Sequence, residues 1–383
     1  MRASVTRLPA WAAWRSTAPD AAATVGAEEE VMLLDPRDFS LAQRATEVIE
    51  SLSPQLAAHC SPETHGSALE LRTDPHSTVG DLAAQLAGVR RRLSRELASL
   101  GLVAGCAGTH PTTLWSDTVV SDSQRYRLIY ESMRELARRE PSFALHVHVG
   151  VESPEEAIVL CNRMRAHLPL LLALSANSPF WQGRDSGLCS SRTPLFQAFP
   201  RVGIPRAFAD YEHWVTTIEL LMRSGAIPEP TFLWWDVRPQ PRFGTVEVRV
   251  MDAQTTVSDT AALVALVQAI ARLELVEGYA SATLLDAPEV LAENRFLAAR
   301  DGMDAELIEP DLERRVPARN QLEELLEACA PHAQEIGCER ELAGVRGLAR
   351  VGGGAAQRAL ARELDGDLPR LVEALANAFV SDD

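Results

Sequence analysis

Four segments of the chain alternate apolar and polar residues with the two-residue period of a β-strand. Residues two positions apart on a strand share a face, so each segment has one apolar face and one charged or imidazole-bearing face. FLWWDVRP at 232–239 lies just before the last segment and predicts a β-hairpin with it. The four segments are TVGAEEEVMLL (24–34), SALELRT (67–73), FALHVHVGV (143–151) and GTVEVRVMD (244–252).

Most of the remaining chain carries apolar residues at helical spacing, and a short apolar run at 102–106 predicts one more buried strand. Pro169 predicts a kink or break in its helix, and residues 177–208, with four prolines and no period, predict active-site loops. Because strands come early and midway while helices concentrate late, we predict an α+β fold around an antiparallel sheet. The predicted helices are 78–100, 122–139, 155–176, 211–224, 258–278, 288–299, 321–330 and 343–378, the last interrupted by a glycine triplet.

The 383 residues are predicted to form one catalytic unit behind a short leader. Residues 1–22 are rich in Ala, Pro, Thr and Ser without a clear period, which predicts a loosely ordered leader. Arg7 and Arg15 interrupt its apolar runs, so it lacks the apolar region of a signal peptide. Residues 23–383 are predicted to be a single catalytic domain with a mainly helical C-terminal part.

The charge of the chain limits its partners. With 53 acidic and 37 basic residues the formal net charge is −16, which argues against nucleic acid or an anionic membrane and favours a divalent cation. No run reaches the roughly 18 apolar residues that span a bilayer. Six cysteines without a CxxC pair indicate reduced thiols in a cytoplasmic protein. A homo-oligomer is compatible with the sequence.

The polar strand faces carry the candidate chemistry. Ionised groups are costly to bury unless they are paired or metal-bound, so four such faces predict a wet site. Carboxylates with imidazoles suit Mg²⁺ or Mn²⁺, and arginines suit phosphate or a substrate carboxylate. A face lined by carboxylates should tolerate Glu247→Gln without loss of the fold. The residues that share a face are Glu28 with Glu30, Glu70 with Arg72, His146 with His148, and Glu247 with Arg249.

Each pattern taken alone leaves a structural alternative open. Glu-x-Glu on a strand is typical of a solvated face, and His-x-His also fits two exposed or hydrogen-bonded histidines. Glu247 and Arg249, two positions apart on one strand, also fit ion pairs with residues on a neighbouring strand. Arg192, which follows Cys189-Ser190-Ser191, fits either a phosphate contact or an exposed loop arginine.

Eight ordered blocks of sequence give the chain a resemblance to a known family. From about residue 24 to about residue 360 it resembles the carboxylate–amine ligase branch of the glutamate–cysteine ligases, the type 2 group. Ala27 departs from this pattern, because valine is common there. The blocks are GAEEEVMLLDP, ALELRTDPH, GTHP (108–111), LHVHVGV, LPLLLALSANSPFWQGRDSGLCSSR, WWDVRP, GTVEVRVMDA and ENRF (293–296).

The resemblance implies a glutamine synthetase-like fold, in which a curved antiparallel sheet forms the cup of the active site and helices pack around it. It implies that ATP phosphorylates a small-molecule carboxylate and that an amine then displaces phosphate. Arg192 and Arg249 would stabilise phosphate charge, and with Arg238 would bind the nucleotide. The implied Mg²⁺ or Mn²⁺ ligands are Glu28, Glu30, Glu70, His146 and Glu247, to which the shared strand face adds His148.

Two other functions fit the same residues. A metal-dependent hydrolase or phosphoesterase could use the Glu/His face to activate water. A protein that binds a nucleotide or metabolite could keep the fold without the chemistry.

Overall fold

The computed structural model describes residues 8–15, 24–121, 124–138 and 142–381. Its strands are β1 Val25–Leu34, β2 Cys60–Pro62, β3 Ala68–Arg72, β4 Val103–Gly105, β5 Ala144–Gly150, β6 Phe180–Trp181, β7 Arg184–Asp185, β8 Val202–Gly203, β9 Trp234–Trp235, β10 Val237–Gln240, β11 Thr245–Asp252, β12 Glu306–Glu309 and β13 Arg314–Pro317. Its α-helices are α1 Ala45–Ser51, α2 Pro54–Ala57, α3 Val79–Ser99, α4 Gln124–Met133, α5 Pro154–Met164, α6 Leu168–Ser175, α7 Arg192–Phe196, α8 Tyr211–Arg223, α9 Val257–Val276, α10 Ala282–Leu285, α11 Pro288–Asp301, α12 Ala318–Ile336, α13 Glu339–Val351, α14 Gly353–Glu363 and α15 Leu368–Ala378.

The main sheet has seven strands in the order β10-β11-β5-β1-β3-β2, with β4 also paired to β1. All of these pairings are antiparallel. Their register places Glu28 opposite His146 and places Glu247 opposite both His148 and Arg238. The predicted α+β fold with an antiparallel sheet is therefore confirmed.

One face of the sheet forms the largest hydrophobic core. Val147 and Val149 of β5, with Val246 and Val248 of β11, pack there against α5, α6 and α9. Helix α9 is apolar along most of its length and is buried almost throughout, as expected for a helix covered on every side. Because the helices cover this face, the polar side chains of the same strands lie on the other face.

Part of the segment predicted to be a loosely ordered leader is packed in the structure. Residues 10–12 form a 3-10 helix, and Ala12 is fully buried in a cluster with α4 and α8. Residues 1–7 and 16–23 lie outside the described residues.

The predicted hairpin is only partly correct. Strands β10 and β11 pair as predicted, but Trp234 and Trp235 instead form β9, which pairs in parallel with β8. The chain changes partner at Asp236, whose N–H donates to Gly203 O at 2.9 Å while its carbonyl accepts from Arg249 N at 2.7 Å. A local apolar run does not reveal such a change of partner.

The helix predicted over 155–176 is broken into α5 and α6, and Pro169 lies in the first turn of α6. Among the described residues no single helix has the length and apolar composition to cross a membrane; α5 and α6 pass that test only together, and they are bent by 66°. The hairpin of β12 and β13 was not predicted, because its strands are only four residues long.

Candidate active site

The polar face of the sheet lines a cavity of about 500 Å³. Residues from β1, β3, β5, β10 and β11 form its floor, and α4, α7 and residues 61–65 at the end of β2 form its walls. His148 does not line the cavity itself. Its Nε2 lies 3.5 Å from Oε1 of Glu28, which does line the cavity. The sequence-predicted residues that line the cavity are Glu28, Glu30, Glu70, His146, Glu247, Arg192, Arg238 and Arg249.

Glu28 lies at the centre of this arrangement because the register of β1 and β5 places both histidines beside it. Its Oε2 is 3.4 Å from Nδ1 of His146, and its Oε1 is 3.5 Å from Nε2 of His148. The Nδ1 atom of His148 lies 3.0 Å from Oγ1 of Thr245, whereas its buried Nε2 makes no hydrogen bond in the described part of the chain. The Nε2 atom of His148 therefore lies beside Glu28 without making a hydrogen bond in the described part of the chain.

The surroundings shift the pKa values of these three groups in different directions. Burial opposes ionisation of Glu28, but the His148 charge and the contact with His146 hold its pKa well below the usual range. Burial and the nearby Arg249 lower the pKa of His146 to about 4. For His148 the effect of burial is outweighed by Glu28, which raises its pKa. Glu28 is thus an anion beside one neutral imidazole, His146, a form that can coordinate a metal.

A second group of carboxylates lies beside Glu28. Burial, with the charges of Glu28, Glu63 and Glu30, raises the pKa of Glu70 well above its usual range. Burial and the Glu63 charge raise the pKa of Glu30 to about 8, although its carboxylate accepts a 2.7 Å hydrogen bond from Ala144 N. Carboxylates that repel one another in this way favour a bound cation. Glu63 lines the same cavity.

Glu247 is an ion-pair member as well as a metal-ligand candidate. It is 1% exposed, and Arg238 Nε and Nη2 donate to its carboxylate at 2.7 and 3.2 Å. Arg249 also donates to it, and Gln240 Nε2 does so at 2.6 Å. Burial would raise the pKa of Glu247, but the two arginines hold it well below the usual range. The ion-pair alternative left open by the sequence is therefore present here.

Arg192 is buried rather than an exposed loop arginine, being only 6% exposed. Its Nη1 donates to Val250 O at 3.3 Å and lies 3.6 Å from Oδ1 of Asp252. Its buried Nε has no hydrogen-bond partner in the described part of the chain. The guanidinium is therefore positioned at the cavity with a donor left over for an anion.

Asp252, which the sequence analysis did not single out, organises the loop that carries Arg192. Its Oδ2 accepts hydrogen bonds from Asn177 N at 2.9 Å and Ser178 Oγ at 2.7 Å, and Oδ1 accepts one from Ser190 Oγ at 3.0 Å. A Cβ at Gly108 would lie 2.6 Å from this carboxylate, so the turn at GTHP requires glycine. The ordered blocks were the only sequence signal that linked these residues.

A further buried ion pair fixes the strand beside the cavity. Arg295, from the ENRF block, donates to Asp236 at 2.6 and 3.2 Å and to Gln197 Oε1 at 2.8 Å. Sequence reasoning noted both blocks but could not show that their side chains meet. Apolar residues on the wall of the cavity include Ile129 and Met133 of α4.

The donor atoms at the cavity fit a divalent cation. Glu28, Glu70 and His146 place one ligand atom each within 4.8 Å of one another, and Glu28, His148 and Glu247 do the same. Ligands on opposite sides of Mg²⁺ are about 4.2 Å apart, so small movements would complete either set. Oxygen with imidazole donors suits Mg²⁺ or Mn²⁺.

Comparisons with known proteins show the family of the chain. The sequence model of "Glutamate-cysteine ligase family 2" matches residues 24–374. A Rubrobacter xylanophilus protein named "Putative glutamate--cysteine ligase 2-1" is 40% identical over 350 residues, covering 90% of this chain and 91% of that protein. A Sorangium cellulosum protein named "Putative glutamate--cysteine ligase 2" is 38% identical over 332 residues, covering 86% and 88%.

Solved structures with the same fold include the glutamate–cysteine ligase of Francisella tularensis in complex with AMP. Its TM-score is 0.70 at 13% identity, and the match covers 97% of this chain and 91% of that one. A bifunctional glutathione synthetase from Pasteurella multocida matches with a TM-score of 0.68 at 14% identity, over 94% of this chain and 52% of that one. The chain belongs to glutamate–cysteine ligase family 2, a family of enzymes that form carbon–nitrogen bonds.

Proposed function

We propose that the chain is an ATP-dependent carboxylate–amine ligase that works through an acyl phosphate. One observation supports this proposal. Two groups of carboxylate and imidazole donors lie at the same cavity as Arg192, Arg238 and Arg249. Phosphoryl transfer depends on positioned cations around spreading negative charge more than on a protein nucleophile. This cavity supplies that arrangement.

The metal would be held by the two sets of donors that share Glu28. Bound there, Mg²⁺ or Mn²⁺ would neutralise charge on the ATP phosphates. Glu30 lies outside both sets but within the cavity. Its raised pKa supports a role at a metal that it reaches only after losing its proton.

The arginines would act on the transferred phosphoryl group. Arg192 has an unpartnered Nε, and Arg249, although paired with Glu247, lies within 3.4 Å of His146 beside the metal donors. Arg238 gives Nε and Nη2 to Glu247 and Nη1 to backbone carbonyls. Its contribution would therefore be to hold Glu247 and to add positive potential for the nucleotide.

The proposed reaction has two steps. A carboxylate oxygen of the substrate attacks the γ-phosphorus of ATP, and ADP leaves. The nitrogen of an amine then attacks the acyl carbon, the bond from that carbon to the phosphate oxygen breaks, and phosphate and a proton are released. Glutamate and cysteine are the first substrates to test, because the named relatives are glutamate–cysteine ligases.

The site of action is proposed to be the cytoplasm. All six cysteines are unpaired thiols, and five of them are buried, as expected where the redox potential keeps thiols reduced.

The proposal is tested by incubating purified protein with ATP, Mg²⁺, glutamate and a panel of amines that includes cysteine. We expect an amide product by mass spectrometry in equal amount to the ADP and phosphate released. Absence of any amide across the panel would contradict the proposal. Turnover of a phosphoester without nucleotide would instead indicate the metal-dependent hydrolase.

A further inference from the structure

Residues 8–15, here called the docked segment, pack on helix α8. The ring of Trp11 meets that of Trp214 edge to face, with centroids 5.6 Å apart. Its Nε1 donates to Oε1 of Glu219 at 2.5 Å. Both contacts join residues about 200 positions apart, so the segment is held by tertiary structure rather than by its own sequence.

Two more contacts fix the middle of the docked segment. The hydroxyl of Tyr211 donates to Ala12 O at 2.8 Å, and Ala12 is fully buried. The ring of Trp14 lies edge-on to Tyr211 at 5.9 Å. Aromatic pairs of this kind each contribute about 0.5–1.5 kcal/mol beyond their buried area.

The docked segment ends on the turn between β10 and β11. The backbone N–H of Arg15 donates to Pro241 O at 2.9 Å. Within this turn the N–H groups of Phe243 and Gly244 donate to Gln240 O at 3.0 and 2.9 Å, and Gly244 has φ 68°, which favours glycine.

This β10–β11 turn also contacts two of the metal-ligand candidates. Gln240 Nε2 donates to Glu247 at 2.6 Å, and the ring of Phe243 lies edge-on to His148 with centroids 5.7 Å apart. Arg242 and Phe243 also line the active-site cavity. A displacement of the turn would therefore reach Glu247 and His148 directly.

We propose that the docked segment is a positioning element of the active site. By holding Pro241 it keeps Gln240 and Phe243 where they fix Glu247 and His148 for metal binding. The inference rests on the metal site of the proposed function and adds to it a segment that touches no reacting group.

The hydrogen bond from Arg15 can be removed selectively. Arg15→Pro eliminates the N–H that Pro241 accepts, whereas Arg15→Ala keeps it and removes only the side chain. We expect Arg15→Pro to weaken Mn²⁺ binding, measured by electron paramagnetic resonance, about tenfold, as in other losses of a group that orients a metal ligand. Arg15→Ala should stay within about twofold of wild type by the same reasoning.

A second pair of variants addresses the docking itself. Trp11→Ala removes the contacts with Glu219 and Trp214, while Leu8→Ala changes a neighbouring side chain that is 40% exposed. We expect Trp11→Ala to weaken Mn²⁺ binding and to speed hydrogen exchange at residues 241–245, and Leu8→Ala to do neither.

The outcomes separate this inference from the metal site on which it rests. If wild-type protein binds no Mn²⁺, the metal site and this inference fall together. If wild type binds Mn²⁺ and both Arg15→Pro and Trp11→Ala bind it equally well, only this inference is overturned. A lower melting temperature with unchanged Mn²⁺ affinity would give the segment a purely structural role and also overturn it.

Discussion

The side chain of Glu247 serves two sets of neighbours. It belongs to a group of metal-ligand candidates with Glu28 and His148, and it also neutralises Arg238 and Arg249. A carboxylate has two oxygens with about four lone-pair positions, and four donors already occupy them here, so Glu247 would bind a metal only in exchange for one of these hydrogen bonds. The ion pairs nevertheless change what a substitution at this position should do.

From the sequence alone, Glu247→Gln was expected to leave the fold intact. The structure changes this expectation, because the variant leaves two largely buried guanidinium groups without their counter-charge. Breaking a buried ion pair from one side costs about 3–5 kcal/mol. We predict a loss of unfolding free energy of this order, measured by denaturant titration without metal, together with loss of ligase activity.

Glu28→Gln provides the matched comparison. Glu28 contacts two histidines and no arginine within 4 Å in the described part of the chain. An amide can keep the hydrogen bond to His146, and no arginine loses its counter-charge, so we expect activity and Mn²⁺ binding to be lost with a smaller loss of unfolding free energy than Glu247→Gln causes. Equal destabilisation by the two substitutions would contradict this account of Glu247.

The raised pKa of Glu30 predicts how stability and metal binding depend on pH. In the unfolded chain Glu30 ionises near its ordinary value of 4.5, but in the folded metal-free protein it stays protonated up to about pH 8. Between these values the folded state holds the extra proton, so Glu30 lowers stability as pH rises. Metal ligands must be deprotonated, so Mn²⁺ affinity should rise over the same window.

This prediction is checked by measuring Mn²⁺ affinity between pH 6 and pH 8, with proton release followed in weakly buffered solution. Glu30→Gln is the control, because it removes one of the titrating groups and should make the dependence on pH shallower. A Mn²⁺ affinity that is constant across this window in wild type would show that Glu30 is ionised before the metal arrives.

The alternation of residues predicted the polar strand faces, but it did not predict the buried ion pair on the apolar face of β1. The two-residue period of β1 places Glu29 on the apolar face, and this side chain lies in the core, fully buried and paired with Arg90 at 2.8 Å. Thr260 donates to the same carboxylate at 2.5 Å. These partners come from α3 and α9, which are 61 and 231 residues away, so no local pattern could identify them.

At the scale of elements, the strands with clear alternation were predicted well, whereas the path between β9 and β10 was not. Asp236 marks the point where the chain leaves β8 and joins β11, and Arg295 of α11 pairs with it from across the core. The position of this junction depends on a tertiary ion pair. A strand predicted from the apolar run alone therefore continues through Asp236 without a break.

The ion pair at this junction should be strongly coupled. Arg295→Gln leaves Asp236, which is 4% exposed, without its counter-charge and should cost about 3–5 kcal/mol of unfolding free energy. Asp236→Asn should cost a similar amount, and the double variant should recover about 0.5–3 kcal/mol relative to the sum. Strict additivity in this double-mutant cycle would show that the two side chains do not interact.

At the scale of the whole molecule, helices cover one face of the sheet and leave the other to a cavity. The sequence predicted this division from four alternating strands, and the ordered blocks added the family, which is confirmed. The packing of residues 8–15 on α8 could not be predicted, because it depends on aromatic partners far along the chain.

We propose that this cavity joins a carboxylate to an amine through an acyl phosphate. The most direct measurement uses glutamate labelled with ¹⁸O in its carboxylates, with ATP, Mg²⁺ and the amine that gives product, followed by mass spectrometry of the phosphate released. We expect one ¹⁸O atom in each phosphate, carried from the carboxylate when the amide forms. Amide formation with unlabelled phosphate would contradict it.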